Sequence, residues 1–236
     1  MGAKKQTDGV PRLIAIDGPG GAGKSSVGER VAAALGYRLV DTGLMYRALT
    51  WAALRRGIDP EDEAALAVLA RKARVEVAPA PPGSAESHAV LVDGEDATPH
   101  LREPDVEGAV SLVSRVPAVR EEMVRRQREL ATMEPGVVMI GRDIGTVVAP
   151  GAGLKIYLDA SPEVRARRRQ QQLERRGRDV NRAAVAEAMA RRDVIDSTRE
   201  VSPMRPAPDA HVIDTDRLSL DEVVERVMEL VRACRS

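Results

Sequence analysis

Apolar residues gather along the chain in two rhythms. Short, nearly unbroken apolar runs lie at residues 12–17, 37–41, 136–140, 154–159 and 211–214, and their Val, Ile and Leu content predicts five short buried strands. The longer stretches between them carry apolar positions at helical spacing: 26–35, 42–56, 61–72, about 105–115, 117–132, 161–176, 181–196 and 220–233. Residue chemistry marks their ends. Gly36, Gly57 and Gly177 sit where helices stop, Pro117 opens one, Asn181 is a capping side chain, and Ser161-Pro162-Glu163 joins a capping hydroxyl to a first-turn proline and an early acid. Apolar strands separated by helices predict an α/β fold with a parallel sheet covered on both faces.

Residues 73–104 break this alternation. Two β-like pieces, 74–77 and 88–92, are joined across a Pro-Ala-Pro-Pro-Gly stretch whose prolines suit an exposed connection and not the interior of an element. Asp93-Gly94 is a turn signal, and Glu103-Pro104 interrupts the chain again. A small β-containing insert on the main domain is expected here, with no internal repeat elsewhere.

The first strand leads directly into Gly18-Pro19-Gly20-Gly21-Ala22-Gly23-Lys24-Ser25-Ser26, and a helix follows. Gly18, Gly23, Lys24 and Ser25 fit the spacing of a phosphate-binding loop in the strand-to-helix context that gives the motif meaning. Glycines let successive backbone amides turn toward phosphate oxygens, and the helix N-terminus adds a favourable dipole. Lys24 reaches the β and γ phosphates, and Ser25 supplies an oxygen to Mg²⁺. The guanine-reading Asn-Lys-x-Asp of a GTPase is absent, so a second substrate site must be sought elsewhere.

Three further stretches supply candidates. Asp41 ends a strand and Thr42-Gly43 begins the next helix, so Tyr46 and Arg47, one turn later, can face the ligand edge of the sheet, or else be a packed ring and a solvated guanidinium. Gly141-Arg142-Asp143 follows another strand at the same edge, where an Arg and a carboxylate could equally form a structural ion pair. Arg192, Asp196 and Arg199, spaced by four and three, fall on one helical face, either as an intrahelical salt-bridge row or as ligand contacts.

Together with the phosphate loop, Asp41-Thr-Gly-Leu-Met-Tyr-Arg47, Gly141-Arg-Asp-Ile-Gly-Thr-Val-Val148 and Arg192-Asp-Val-Ile-Asp-Ser-Thr-Arg199 make the chain resemble the bacterial cytidylate kinases, within the P-loop nucleoside monophosphate kinase family, from Arg12 to about Arg232. The resemblance implies a three-layer P-loop fold with a five-stranded parallel sheet, a monophosphate-binding insert domain and a small helical lid. Its boundaries place the core at 10–41, 117–164 and 200–234, the monophosphate-binding domain at 42–116, and the lid with its flanking helices at 165–199. It implies transfer of the γ-phosphoryl group of ATP to CMP and dCMP with Mg²⁺. Thr42, Tyr46 and Arg47 then form the monophosphate segment, with Arg47 and Arg142 on the acceptor phosphate. Asp143 meets the base, helped by Ser111 and Arg120, while Arg192 and Asp196 hold the ribose. Arg199 bridges the donor and acceptor phosphates, so that Lys24, Arg142 and Arg199 are the catalytic cations. Arg165, Arg168 and Arg169 stand near the lid entrance, with Gly177 as a hinge. Leu44 replaces a smaller residue and is expected to crowd the sugar.

Charge and composition narrow the rivals. The 36 basic and 36 acidic residues cancel, and with no Phe, one Trp and three Tyr there is little to stack nucleic-acid bases. That weighs against an RNA-touching regulatory protein, although eight Arg lie between residues 165 and 182. Kinases of adenylate, uridylate or shikimate remain the nearer alternatives. His88, His100 and His211 form no metal-ligand spacing, and Cys234 is expected to pack beside the last helix. Gly2 is a weak myristoylation start because residue 6 is Gln. With no apolar signal core or membrane-length run, the reading is of a cytoplasmic protein acting on small molecules, with neither nucleic acid nor membrane as partner, and the family resemblance implies a monomer.

Overall fold

The computed structural model describes residues 9–80, 84 and 88–234. Along them run β1 (Leu13–Asp17), α1 (Lys24–Leu35), β2 (Arg38–Asp41), α2 (Thr42–Arg55), α3 (Glu63–Lys72), β3 (Val75–Pro79), β4 (His88–Val92), β5 (Glu95–Asp96), α4 (Pro104–Arg115) and α5 (Pro117–Leu130). Then follow β6 (Val137–Ile140), a π-helical turn (Ile144–Val148), β7 (Leu154–Asp159), α6 (Pro162–Glu174), α7 (Arg182–Thr198), β8 (His211–Asp214) and α8 (Leu220–Ala233).

The five expected strands form one parallel sheet in the order β2-β6-β1-β7-β8. Period-two alternation divides β1 and β6 between two cores. Ile14, Ile16, Val138 and Ile140 pack with Val27 and Val31 of α1 and with Val223, Val227 and Val231 of α8. Ala15, Val137 and Met139 face the other way, onto Val124 of α5 and onto Ile144 and Val148 of the π-turn. Helices therefore cover both faces. β1 is flanked by β6 and β7, with Asp41 registered against Ile140 and Asp17 against Tyr157. The carboxyl ends of these strands thus share one edge, where the chain connections diverge and α/β sheets accept ligands.

A third core lies beside the sheet. Leu44, Leu49, Trp51, Leu66, Leu69, Val90, Val92, Val110 and Met123 bring together α2, α3, α4, α5 and the small antiparallel sheet β3-β4-β5. Trp51 stacks on His100, with centroids 5.8 Å apart and planes within 12°, and the Arg55 guanidinium lies 5.3 Å from its ring centre. The Asp93-Gly94 turn joins β4 to β5 with φ of 52° and 85°, the paired left-handed conformation of a tight hairpin. β5 is only two residues long, too short for alternation to announce it.

Capping chemistry behaves as the residue types predict. Ser161 accepts from the Val164 N–H, Asn181 from the N–H groups of Ala183 and Ala184, and Ser219 with Glu222 closes a reciprocal capping box on α8. Two expectations need correction. Cys234 is exposed at the C-terminal cap of α8, because the buried stripe there is Val223, Val227 and Val231. Arg199 lies just past α7, with φ −60° and ψ 141°, so it leaves the helical face shared by Arg192 and Asp196. The segment after Asp143 is the π-turn, which no apolar period announced. Gly2, and all but Ala80 and Ser84 of the 80–87 connection, lie outside the described residues. No helix among the described residues is long and apolar enough to cross a membrane.

Candidate active site

A cavity of about 570 Å³ opens at the carboxyl edge of the sheet, lined by the phosphate loop, α2, α4, the loop after β6, and α6 and α7. Its volume suits a nucleotide-sized ligand.

The phosphate loop leaves β1 at Gly18, whose φ is 146°; a Cβ there would stand 2.1 Å from the Leu158 carbonyl oxygen of β7. Only glycine permits that approach. Lys24 lies at the start of α1 and donates to the carbonyls of Gly18 and Pro19, both at 2.7 Å. Burial within the cleft and repulsion from Arg142 push its pKa down to about 7. The Ser25 hydroxyl stands 3.3 Å from one oxygen of Asp41, whose other oxygen caps α2 at the Gly43 N–H. A hydroxyl and a carboxylate therefore meet beside the loop. No cluster of three His, Cys, Asp or Glu able to hold a metal occurs among the described residues. Mg²⁺ does not need one, since it keeps water and phosphate oxygens and takes one or two protein ligands.

Facing the loop is an alternating chain of charges drawn from four elements. Arg120 of α5, only 1% exposed, pairs with one oxygen of Asp143 and donates to the Ser114 carbonyl at 3.2 Å. The other Asp143 oxygen lies 3.5 Å from Arg199, Arg199 lies 3.7 Å from Asp196, and Asp196 lies 2.8 Å from Arg142. Of the two readings left open for α7, a salt-bridge row or ligand contacts, the first is realised mostly as a cross-element network. Arg192 donates to the Ser111 hydroxyl of α4 at 3.4 Å. Burial first, then the like charges of Arg142 and Arg47, bring its pKa down to about 9.

The α2 residues take several postures. Thr42 donates to the Ile140 carbonyl at 2.9 Å, tying α2 to the end of β6. A Cβ on Gly141 would fall 2.7 Å from that hydroxyl, so glycine is required there by close packing. Tyr46 lies beneath Arg120, 5.3 Å from ring centre to guanidinium, and burial pushes its phenol up to about 12. Arg47 donates to the Gly43 carbonyl at 3.2 Å, while its Nε is buried without a hydrogen-bond partner among the described residues. Arg142 Nη1 is in the same condition.

The lid arginines divide. Arg165 does not line the cavity; it is buried, bonding the carbonyls of Ala160 and Gly20 and pairing with Asp193 of α7 at 2.6 Å. Arg168 lines the cavity and donates to the hydroxyl and carbonyl of Thr215. Arg169 also lines it and pairs with Glu107, joining α6 to α4. Burial opposes ionisation of Glu107, yet Arg169 and Arg47 hold its carboxyl below the ordinary value. Leu44 does not crowd a sugar: it belongs to the apolar core behind α2 and does not line the cavity.

The family model described as cytidylate kinase matches residues 14–233. The chain belongs to this family. Curated relatives agree over nearly the full length of both partners. A cytidylate kinase from Geobacillus kaustophilus is 54% identical over 92% of this chain and 95% of its own length. Another from Geobacillus thermodenitrificans is 51% identical over the same shares, and one from Nocardia farcinica is 47% identical over 95% of each. Within this cytidylate kinase cavity, sequence motifs brought Lys24, Arg47, Arg142, Asp143, Arg192 and Asp196 together. They did not anticipate Arg102, Gln172 or Arg175, which also line it. The Arg run at 165–182 was the available signal for Arg175; Arg102 stands alone in a polar stretch and offered none.

Proposed function

We infer that this chain transfers the γ-phosphoryl group of ATP to CMP, and to dCMP, yielding ADP and the corresponding diphosphate. The observation that carries the residue assignment is the surplus of positive charge between the two ends of the cavity. Burial first, and then repulsion from Arg142 and Arg47, depress Lys24 and Arg192, and buried donor atoms on Arg47 and Arg142 have no partner among the described residues. Donors left over in such a cluster favour anions that complete it, and two phosphate chains meeting end to end supply them.

In this reading residues 18–26 cradle the ATP phosphates, with Lys24 on the β and γ groups. Ser25, and Asp41 beside it, would hold Mg²⁺, which supplies charge neutralisation across the phosphates. Arg47 and Arg142 grip the acceptor phosphate, and Arg199 bridges donor and acceptor. The acceptor oxygen is already anionic near neutral pH, so no strong base is required; alignment and neutralisation of the transferring group do the chemistry. The Asp143 carboxylate, its orientation fixed by Arg120 and Arg199, accepts from the cytosine amine and opposes the uracil O4. Ser111 and Arg120 complete the base pocket, Arg192 and Asp196 hold the ribose, and Thr42 and Tyr46 shape its wall. Residues 165–199 act as the lid, with Arg168 and Arg169 over ATP, closing on 42–116 and excluding water. The chain works as a cytoplasmic monomer on these small molecules.

The test is diphosphate formation with CMP, dCMP, UMP, AMP and shikimate, with and without Mg²⁺, for the natural chain and Arg142→Met. Mg²⁺-dependent CDP and dCDP formation, poorer with UMP and lost in Arg142→Met, is expected. Preference for another acceptor would remove the base assignment while leaving the kinase.

A further inference from the structure

The π-turn at Ile144–Val148 begins at the residue after Asp143, and two charged side chains from separate elements grip its ends. Asp17, the last residue of β1 and 3% exposed, accepts from the backbone N–H of Ile144 at 2.8 Å on one oxygen and of Gly145 at 2.7 Å on the other. Arg128 of α5 donates to the carbonyls of Val147 at 2.9 Å and Val148 at 3.1 Å. Inside this grip the Asp143 carbonyl accepts from the N–H groups of Val147 and Val148, at 2.9 and 3.2 Å, and from the Thr146 hydroxyl at 3.3 Å. The peptide on which Asp143 sits is therefore fixed from both directions.

A carboxylate is a costly way to fill the Asp17 position. Burial, and more weakly the negative charge of Asp143, raise its pKa to about 6, against the two backbone donors and the nearby Lys24 that favour ionisation. What the carboxylate offers, and asparagine does not, is two acceptor oxygens for two successive N–H groups. Gly145 leaves room for it: a Cβ there would lie 3.2 Å from Lys155 Cδ and 3.4 Å from Asp17 Oδ2. Single π-helical turns are frequent at functional sites.

We propose that Asp17 and Arg128 are positioning residues for the acceptor: by holding the two ends of the 144–148 turn they set where Asp143 stands, and with it the discrimination of cytosine from uracil. The proposal rests on the reading of Asp143 as the base contact. Neither residue lines the cavity.

The experiment is steady-state kinetics with CMP, UMP and ATP for the natural chain, Asp17→Asn, Arg128→Met and Asp143→Asn. The CMP-to-UMP ratio of kcat/KM does not depend on how much enzyme is folded, so partial misfolding of Asp17→Asn leaves it readable; if that variant does not fold at all, the exposed Arg128 decides. Asp143→Asn should collapse the ratio. Asp17→Asn should lower it about tenfold or more and Arg128→Met about threefold, with KM for ATP moving less than about twofold. A ratio unchanged in both positioning variants, or an equal rise of KM for ATP and CMP, overturns the proposal once Asp143→Asn has collapsed the ratio. If Asp143→Asn is itself silent, the base-contact reading fails and takes the proposal with it. Which variant is silent tells the two failures apart.

Discussion

The two ends of the cavity are built on opposite plans. The phosphate loop is one contiguous stretch whose working groups are backbone amides and a helix terminus, with Lys24 as its single long side chain. The end facing the loop draws Arg47 from α2, Ser111 from α4, Arg120 from α5, Arg142 and Asp143 from the loop after β6, and Arg192 and Asp196 from α7. A backbone cradle survives most side-chain changes, whereas a network of alternating buried charges weakens at every node. The first plan suits a donor phosphate common to many enzymes; the second concentrates selectivity where side chains differ.

Breaking the cradle at its one critical side chain should have the largest effect. Lys24→Met is expected to lower kcat by about 100-fold to 1,000-fold, with KM for CMP little altered, in steady-state assays. Breaking a node of the network should instead be felt as stability. Arg120→Met leaves Asp143 with only the longer Arg199 contact, and a loss of about 3–5 kcal/mol is expected by urea unfolding, far more than Lys24→Met shows.

Titration sharpens the contrast. The pKa of Asp17 is raised in the folded chain to about 6, from an ordinary 3.8. The folded state thus binds the proton more tightly than the unfolded one, and the resulting stability is fully present below pH 3.8 and lost as pH rises through 6. The stability of the natural chain relative to Asp17→Asn should therefore fall by up to about 3 kcal/mol between pH 4 and pH 7, read from urea midpoints of both proteins. Asp143 and Lys24 are the charged neighbours that modulate the window. The smallest effect belongs to neither end. Ser219→Ala removes the α8 cap and should cost about 1 kcal/mol of stability while leaving KM for both substrates unchanged.

The same contrast explains what the sequence made legible. The strands and most helix ends were readable because each is signalled locally, by an apolar run, a capping hydroxyl or a stop glycine. The phosphate loop was readable for the same reason. Asp143, Arg142 and Asp196 could be nominated from their motifs, but their pairing could not, since Arg120 to Asp143 spans 23 residues and Arg142 to Asp196 spans 54 and no local rule joins them. Arg165 was expected at the lid entrance and instead props the loop, because its neighbours Gly20 and Asp193 are distant in sequence. β5 and the π-turn escaped because two residues and one irregular turn carry no period. Asp17 escaped as well, because β2, β7 and β8 also end in Asp and nothing local set it apart.

The stacked pair of Trp51 and His100 makes the chain its own optical instrument. Trp51 is the single tryptophan, and it lies in the core formed by α2 to α5 and the small sheet, apart from the main parallel sheet. Indole emission therefore reports on that body alone, while far-ultraviolet dichroism averages over every helix and strand. Superimposed melts by the two probes would mean that the bodies come apart as one cooperative unit, and an earlier indole transition would mean that the α2 to α5 body loosens before the parallel sheet.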